Sequence, residues 1–473
     1  MKYEVVIGLE VHAELSTKTK AFCACENRFG AEVNTLVCPI CAAMPGTLPL
    51  LNEEVVVSAV KMGKATGCSI NLVSSHDRKN YFYPDLTKAY QITQQVVPIC
   101  ENGEVRFLVD GESRTVRLRR IHIEEDTAKL LHESGFAGTL IDLNRCGVPL
   151  IEIVTQPDLR TPDEAHAFLE TVRSILVELG ISSGKMQEGC IRCDVNVSVR
   201  PEGQQELGTR IEMKNISTFS GARKAITFES NRQIAILEGG GILSQETRRW
   251  DEGLGESILM RTKEDAMDYR YFPEPDLPPV VITQAFADAV TTPELAHQRM
   301  LRYCGMGLPA FDAGLLAETP ERSVYFEKCL QSGLPVKSIA NWICGDFIRL
   351  LAENDQSFAD TTVSPERLTA LVAVVESKEI SVTAGKTVLE QLFASNETPA
   401  GIVERLGLAQ VSDSAALESV VDGVLAANAQ SVEAYRGGKT NALGFLVGQC
   451  MKASGGKANP GVLTKLLKQR LDS

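Results

Sequence analysis

The chain has 473 residues, of which 44% are hydrophobic and 23% charged, and its formal net charge is −13. These proportions exclude a disordered or fibrous chain, and the length suits two to four domains of ~100–200 residues each. An acidic chain repels polyanions over most of its surface, so any nucleic-acid contact must come from a local patch.

The N-terminus, MKYEVVIGLEVHAEL, has the alternation of a strand. Val5, Ile7, Leu9 and Val11 fall on one face, and Gly8, Glu10, His12 and Glu14 on the other. It lacks the basic-then-apolar pattern of a signal peptide, and no apolar run approaches the ~18–20 residues that span a bilayer. A cytoplasmic protein without membrane partners is expected. Its 13 cysteines are then mostly reduced thiols, and clusters among them suit metal better than disulfides.

Such a cluster follows at once. Cys23 and Cys25 form C-x-C, and after twelve residues Cys38 and Cys41 form C-x-x-C. Four thiolates from two tight turns suit tetrahedral zinc; four unrelated buried thiols are the alternative. A four-thiolate site has no open position, so it would staple the fold and not catalyse.

A helix is predicted from Glu53 to Thr66, with Asn52 as N-cap and Gly67 beyond its end. The segment HDRKNYFYPDLTKAYQ is a candidate binding wall. Arg78, Lys79 and Lys88 suit phosphate, and Tyr81, Phe82, Tyr83 and Tyr90 suit a base or an aminoacyl group. An ordinary amphipathic loop has the same composition.

Acids then recur on strand-like segments. Glu124, Glu125 and Asp126 end RLRRIHI, and Glu152 interrupts the apolar PLIEIV. In CDVNVSVR, Val195, Val197 and Val199 point inward, leaving Asp194, Asn196, Ser198 and Arg200 opposite. Glu212 and Lys214 share a face in RIEMKNIS. A charge in an apolar strand is unfavourable unless paired or bound to metal. Taken singly, each acid is a surface or salt-bridged residue. Their recurrence, with one imidazole, suits Mg²⁺ holding nucleotide phosphates.

Two further helices are punctuated clearly. One begins at Thr161, with Pro162 in the first turn and Glu164 completing a capping box, and stops at Gly180. The other spans Ala222 to Glu238 and ends in three glycines. Cys190 and Cys193 repeat the C-x-x-C spacing, but strand alternation separates them, and they read as core thiols.

Pro273, Pro275, Pro278 and Pro279 mark a boundary, and the sequence beyond is mostly helical by period. VKSIANWICGDFIRLLAEN reads as one amphipathic helix. The domains expected are 1–292, 293–404 and 405–473. Charge is uneven: the segment from Arg436 to Ser473 carries +6, and the rest carries −19. That tail is either a partner-binding patch or a solvated helix face. No P-loop, no dinucleotide-binding glycine motif and no nucleophile elbow is present.

Taken in order, IGLEVHAEL, the four-cysteine stretch, DRKNYFYPDLTKAYQI, RIHIEED, GVPLIEIVTQPD, RCDVNVSVR, GTRIEMKNIS, QETRRW, DYRYFPEPDLPP and FLVGQCMKASGGKANP resemble the B subunits of the aspartyl/glutamyl-tRNA amidotransferases. The resemblance runs through the whole chain. It implies an α+β protein: an N-terminal cradle with a sheet like those of glutamine synthetase and guanidino kinases, then an all-α domain and a small helical tail of YqeY type. It also implies a ligase. The side-chain carboxylate of Glu-tRNA(Gln) or Asp-tRNA(Asn) is phosphorylated by ATP, and ammonia released by a glutaminase partner then replaces phosphate. A third chain makes the complex a heterotrimer, and a non-discriminating aminoacyl-tRNA synthetase is a further partner. By motif, Glu10, His12, Glu125 and Glu152 become the catalytic Mg²⁺ ligands, with Asp194 beside them. Lys79 and Lys88 contact the acyl phosphate or line the ammonia path, near Tyr81 and Tyr83. Cys23, Cys25, Cys38 and Cys41 become structural zinc ligands. The basic tail, with Lys439, Lys452 and Lys457, becomes a reader of tRNA backbone phosphates. A non-catalytic tRNA-binding scaffold is the competing expectation.

Overall fold

The computed structural model describes residues 2–132, 137–262, 268–410, 414–437, 439, 441–454, 458 and 460–472. The chain forms two compact units, 1–297 and 298–473.

The first unit is built on a nine-stranded sheet. Its strands are β1 (Tyr3–Glu14), β2 (Ser69–Ile70), β3 (Cys100–Val109), β4 (Glu112–Glu125), β5 (Pro149–Thr155), β6 (Ile191–Pro201), β7 (Ile211–Ile216), β8 (Glu246–Asp251) and β9 (Glu256–Thr262). They lie in the order β9-β8-β7-β6-β1-β5-β4-β3-β2. All pairings are antiparallel except β7 with β8. The N-terminal strand is thus central, with β5 on one side and β6 on the other.

Alternation decides which face is which. Ile7, Leu9, Val11 and Ala13 of β1 are buried, as are Ile121 and Ile123 of β4, Ile151 and Ile153 of β5, and Val195 and Val197 of β6. Three helices supply partners for the same core: α1 (Glu53–Ala65), α2 (Pro162–Glu178) and α3 (Phe219–Glu238). Fully burying one such aliphatic or aromatic side chain contributes about 1.5–3 kcal/mol.

The helix starts follow their caps. The side chain of Asn52 accepts from the Glu54 amide at 2.9 Å. Thr161 and Glu164 form the reciprocal capping box, which satisfies two amides that would otherwise lack partners. α3 begins earlier than its apolar period suggests, because Thr218 accepts from the Gly221 amide at 2.8 Å and so caps it from further upstream.

The candidate wall forms a small ribbon beside the sheet. Asp77–Asn80 pairs with Tyr90–Thr93 and, on its other edge, with Phe272–Pro273. The proline-rich segment is therefore tied into the first unit. Arg78 grips it, donating to Glu274 at 2.7 and 2.9 Å and to Asp276 at 2.9 Å.

The second unit has two separate helical cores. One runs from Tyr303 to Val403 and the other from Leu417 to Leu471. The segment read as a single amphipathic helix is helical at Val336–Trp342 and Ile348–Glu353, with a widened π turn at Ile343–Phe347 between them. Among the described residues, no helix is long and apolar enough to cross a membrane.

Candidate active site

The sheet face opposite the helices is polar, and strand register assembles its groups. β1 places His12 directly opposite Glu152 of β5, and β5 places Glu152 opposite His122 of β4. Two residues along β4, on the same face, lies Glu124. Nε2 of His12 is 3.4 Å from Glu152 and 4.0 Å from Glu124. Nε2 of His122 lies 3.2 Å from Glu124 and 3.3 Å from Glu152. Glu124 also accepts from the Thr93 hydroxyl at 2.7 Å.

Burial opposes charge on both imidazoles, but the neighbouring carboxylates outweigh it. His12 is shifted upward, Glu152 contributing most of the rise, and His122 is raised to about 9. The same pairing acts on the acids. Burial pushes Glu152 up, yet His122 and His12 hold it well below the usual carboxylate range.

Lys79 projects from the ribbon toward this group. Its ammonium lies 4.9 Å from the ring centre of Tyr269 and 5.8 Å from that of Tyr81. Burial disfavours its charge, but Glu124 and the surrounding tyrosines hold the ammonium above its ordinary range.

A second carboxylate group lies alongside. Glu10 sits opposite Asp194 across β1 and β6, and Glu212 follows on β7. Lys214 bridges Asp194 and Glu212, at 2.9 Å from the latter, and Asn196 donates to Glu10 at 3.1 Å. Burial, followed by the charges of Glu152, Asp194 and Glu212, raises the Glu10 carboxyl. At one end of the face, burial and the Asp126 charge raise Glu14 to about 7. Asp126 itself is paired with Arg192 at 2.7 Å.

His12, Glu124 and Glu152 each offer a ligand atom, all within 4.8 Å of one another, and so do Glu10, Asp194 and Glu212. Both are hard donor sets, oxygen-rich with at most one imidazole, and they fit a small dication such as Mg²⁺.

The structure departs here from the ligand set expected from sequence. Glu124 and Glu125 are adjacent on a strand and must point to opposite faces. Glu124 joins His12 and Glu152. Glu125 turns away, pairs with Lys88 and accepts from the Ile92 amide at 3.0 Å. Glu10 groups with Asp194 and Glu212 instead of completing one set with His12. Tyr81 stays close to Lys79, whereas Tyr83 is exposed. Sequence reasoning misses His122. Its signal is the period of two in RIHIEED, which puts His122 and Glu124 on one face.

The four cysteines do converge. Their sulfurs all lie within 4.8 Å of one another, with Cys25–Cys41 at 3.9 Å and Cys38–Cys41 at 3.8 Å. Tetrahedral zinc with bonds of about 2.3 Å would hold its sulfurs about 3.8 Å apart. The Cys38 amide donates to the Cys41 sulfur at 3.2 Å, and the buried Lys20 ammonium stands 3.7 Å away. The hydrogen bond from Cys23, followed by these neighbours, brings the Cys41 thiol down to about 4 despite burial. This group can hold a metal ion.

In the second unit, Lys439 and Lys452 are exposed. Lys457 lies outside the described residues.

Comparison with known proteins accounts for both units. Residues 5–288 match the GatB/GatE catalytic domain, and residues 324–471 match the GatB domain. Three relatives are each named as the B subunit of aspartyl/glutamyl-tRNA(Asn/Gln) amidotransferase. The protein of Caldicellulosiruptor saccharolyticus is 48% identical, and those of Pelodictyon phaeoclathratiforme and Moorella thermoacetica are each 50% identical. In every case the match covers 100% of both chains. The chain belongs to the family of amidotransferase B subunits that carry the GatB/GatE catalytic domain.

Proposed function

We propose that this chain activates the side-chain carboxylate of Glu-tRNA(Gln), Asp-tRNA(Asn) or both by ATP-dependent phosphorylation, and that ammonia then completes the amide. A carboxylate is a poor electrophile. Transfer of the γ-phosphoryl group makes phosphate the leaving group; ammonia attacks the carbonyl carbon, the bond to phosphate breaks, and one proton leaves. Such transfer needs positioning and neutralisation of charge more than covalent help from the protein. The observation that carries the reading is the row of carboxylates and imidazoles contributed by β1, β4, β5, β6 and β7, buried at His122, Glu124 and Glu152 and half-buried at the others.

His12, Glu124 and Glu152, with Glu10, Asp194 and Glu212, would hold Mg²⁺, which when bound offsets charge on phosphate oxygens. Lys79 holds a positive charge beside that place from a tyrosine-lined wall. Lys214 keeps Asp194 and Glu212 aligned. Cys23, Cys25, Cys38 and Cys41 would hold zinc as a closed structural site, beside the Lys88–Glu125 pair that we assign to the ammonia path. Lys439, Lys452 and Lys457 serve tRNA phosphates. The chain works in the cytoplasm with a glutaminase partner and a third, clamping chain, and receives its tRNA from a non-discriminating synthetase.

A tRNA-binding scaffold would have no use for converging acids on five strands, and the matched family is that of a catalytic domain. The test is an assay of the reconstituted complex with Glu-tRNA(Gln), Mg-ATP and ammonium chloride in place of glutamine. ADP and Gln-tRNA should appear together, and both should vanish with Glu152→Gln. Amidation that persists in that variant would place the activation elsewhere.

A further inference from the structure

Three side chains from three strands stand in line near one edge of the sheet. In the parallel pairing of β7 with β8, Thr247 lies opposite Glu212, and in the pairing of β8 with β9 it lies opposite Arg261. The buried Thr247 hydroxyl is 3.0 Å from one oxygen of Glu212 and 3.3 Å from Nε of Arg261. Valence fixes the direction of these bonds. A guanidinium only donates, so Arg261 occupies a lone pair of the hydroxyl, and the hydroxyl proton goes to Glu212. The other Glu212 oxygen accepts from Lys214 at 2.9 Å. Both oxygens are thus held, and each keeps a second lone pair for a ligand.

Arg261 reaches this face only through a break in the strand's alternation. Ser257 and Leu259 pair with Trp250 and Arg248 on the side turned to α3. There Arg248 donates to Ser257 at 2.8 Å, and Ser257 donates to Glu229 of α3 at 3.0 Å. In an unbroken strand Arg261 would follow Ser257 and Leu259 on that side. The register instead shifts between Thr247 and Arg248, which leaves Met260 as an extra residue on β9. That bulge returns Arg261 to the polar face, and bulges beside functional sites re-aim side chains in this way. Ordinary packing does not require the line of contacts, because Arg248, Ser257 and Glu229 already fasten the β8–β9 hairpin to α3.

We infer that Thr247 and Arg261 are positioning residues that fix the Glu212 carboxylate, so that Glu10, Asp194 and Glu212 form a dication site of their own beside that of His12, Glu124 and Glu152. This rests on the metal-dependent reading above.

The test is Mn²⁺ binding to the reconstituted complex, read as free Mn²⁺ by electron paramagnetic resonance. Mn²⁺ takes the same oxygen-rich ligands as Mg²⁺. Thr247→Val keeps the branched shape that suits a strand and removes the proton. It should weaken one of two Mn²⁺ sites about 10–100-fold, the usual loss when a ligand's outer partner is removed, and leave the other within about twofold. Thr247→Ser, which keeps the hydroxyl, should restore the affinity. In a Glu152→Gln background, which disables the His12 group, the remaining site should be the one sensitive to Thr247→Val. Should Thr247→Val fail to fold, Arg261→Met should weaken the same site, by less. Unchanged affinity at both sites in a folded variant overturns the inference. Equal weakening of both sites also overturns it, since that reports a loosened sheet. A wild-type complex that binds no Mn²⁺ overturns the metal-dependent reading itself, and this inference with it.

Discussion

Glu124→Gln separates two neighbours that sequence alone could not. The glutamine is nearly isosteric and still accepts from Thr93, so it removes charge while keeping shape. At the 4.0 Å that separates Glu124 from Nε2 of His12, a unit charge is worth about 4 kcal/mol at an effective dielectric of about 20. That corresponds to about three decades in rate if the interaction is fully felt in the transition state. Glu152 remains at 3.4 Å from His12 and compensates in part, so ADP formation should fall roughly 10²–10³-fold, the size seen when one charge-stabilising group is removed. The assay is ADP release by the reconstituted complex with Glu-tRNA(Gln) and ammonium chloride, with glutamine hydrolysis as the internal control. Glu125→Gln is the contrast. It leaves the half-buried Lys88 without its counter-ion, so it should lower the melting temperature more and slow ADP formation at least tenfold less. If Glu125→Gln is the more damaging to ADP release per folded enzyme, the assignment of Glu124 over Glu125 is wrong.

Three other outcomes are expected. Burial lowers His76 to about 4, so the unfolded chain takes up its proton first as pH falls below 6.5; this destabilises the fold by about 2 kcal/mol at pH 5 and has no effect above neutrality. His76→Phe should therefore lose less melting temperature than wild type between pH 7 and pH 5, and an equal loss in both refutes the point. Cys41→Ser should abolish stoichiometric zinc in atomic emission and lower the melting temperature, while a purified chain that never carries zinc would remove the four-thiolate site from the account. Thr161→Ala breaks the capping box of α2 and should destabilise by about 1 kcal/mol in urea unfolding, with no change in KM for ATP.

Much of this was legible because local rules applied. The alternation in β1 and β6 placed the acids on the face opposite the core, and Thr161 with Glu164 announced a helix start. The spacing of four cysteines brought them to one point. What was not legible depended on partners distant in sequence. Whether Glu124 or Glu125 faces His12 is fixed by the register of β4 against β5, which no local pattern states. Glu10 and His12 share a face of one strand, yet Glu10 is drawn toward Asp194 on one side and His12 toward Glu152 on the other. The prolines near residue 275 read as a boundary, and Arg78 ties them back into the first unit through Glu274 and Asp276. A long-range ion pair of that kind leaves no periodic trace.

The central position of β1 also has a consequence for synthesis. This strand leaves the ribosome well before its neighbours, residues 149–155 and 191–201. At about 5–20 residues per second, some 10–40 s pass before β6 is available. Through that interval Ile7 and Leu9 have no strand to pair with, and they are exposed to every other nascent chain nearby. Two of the six candidate Mg²⁺ ligands, Glu10 and His12, therefore reside in the same dozen residues as the aggregation hazard, and a chaperone that shields this strand would also be protecting a third of that candidate site.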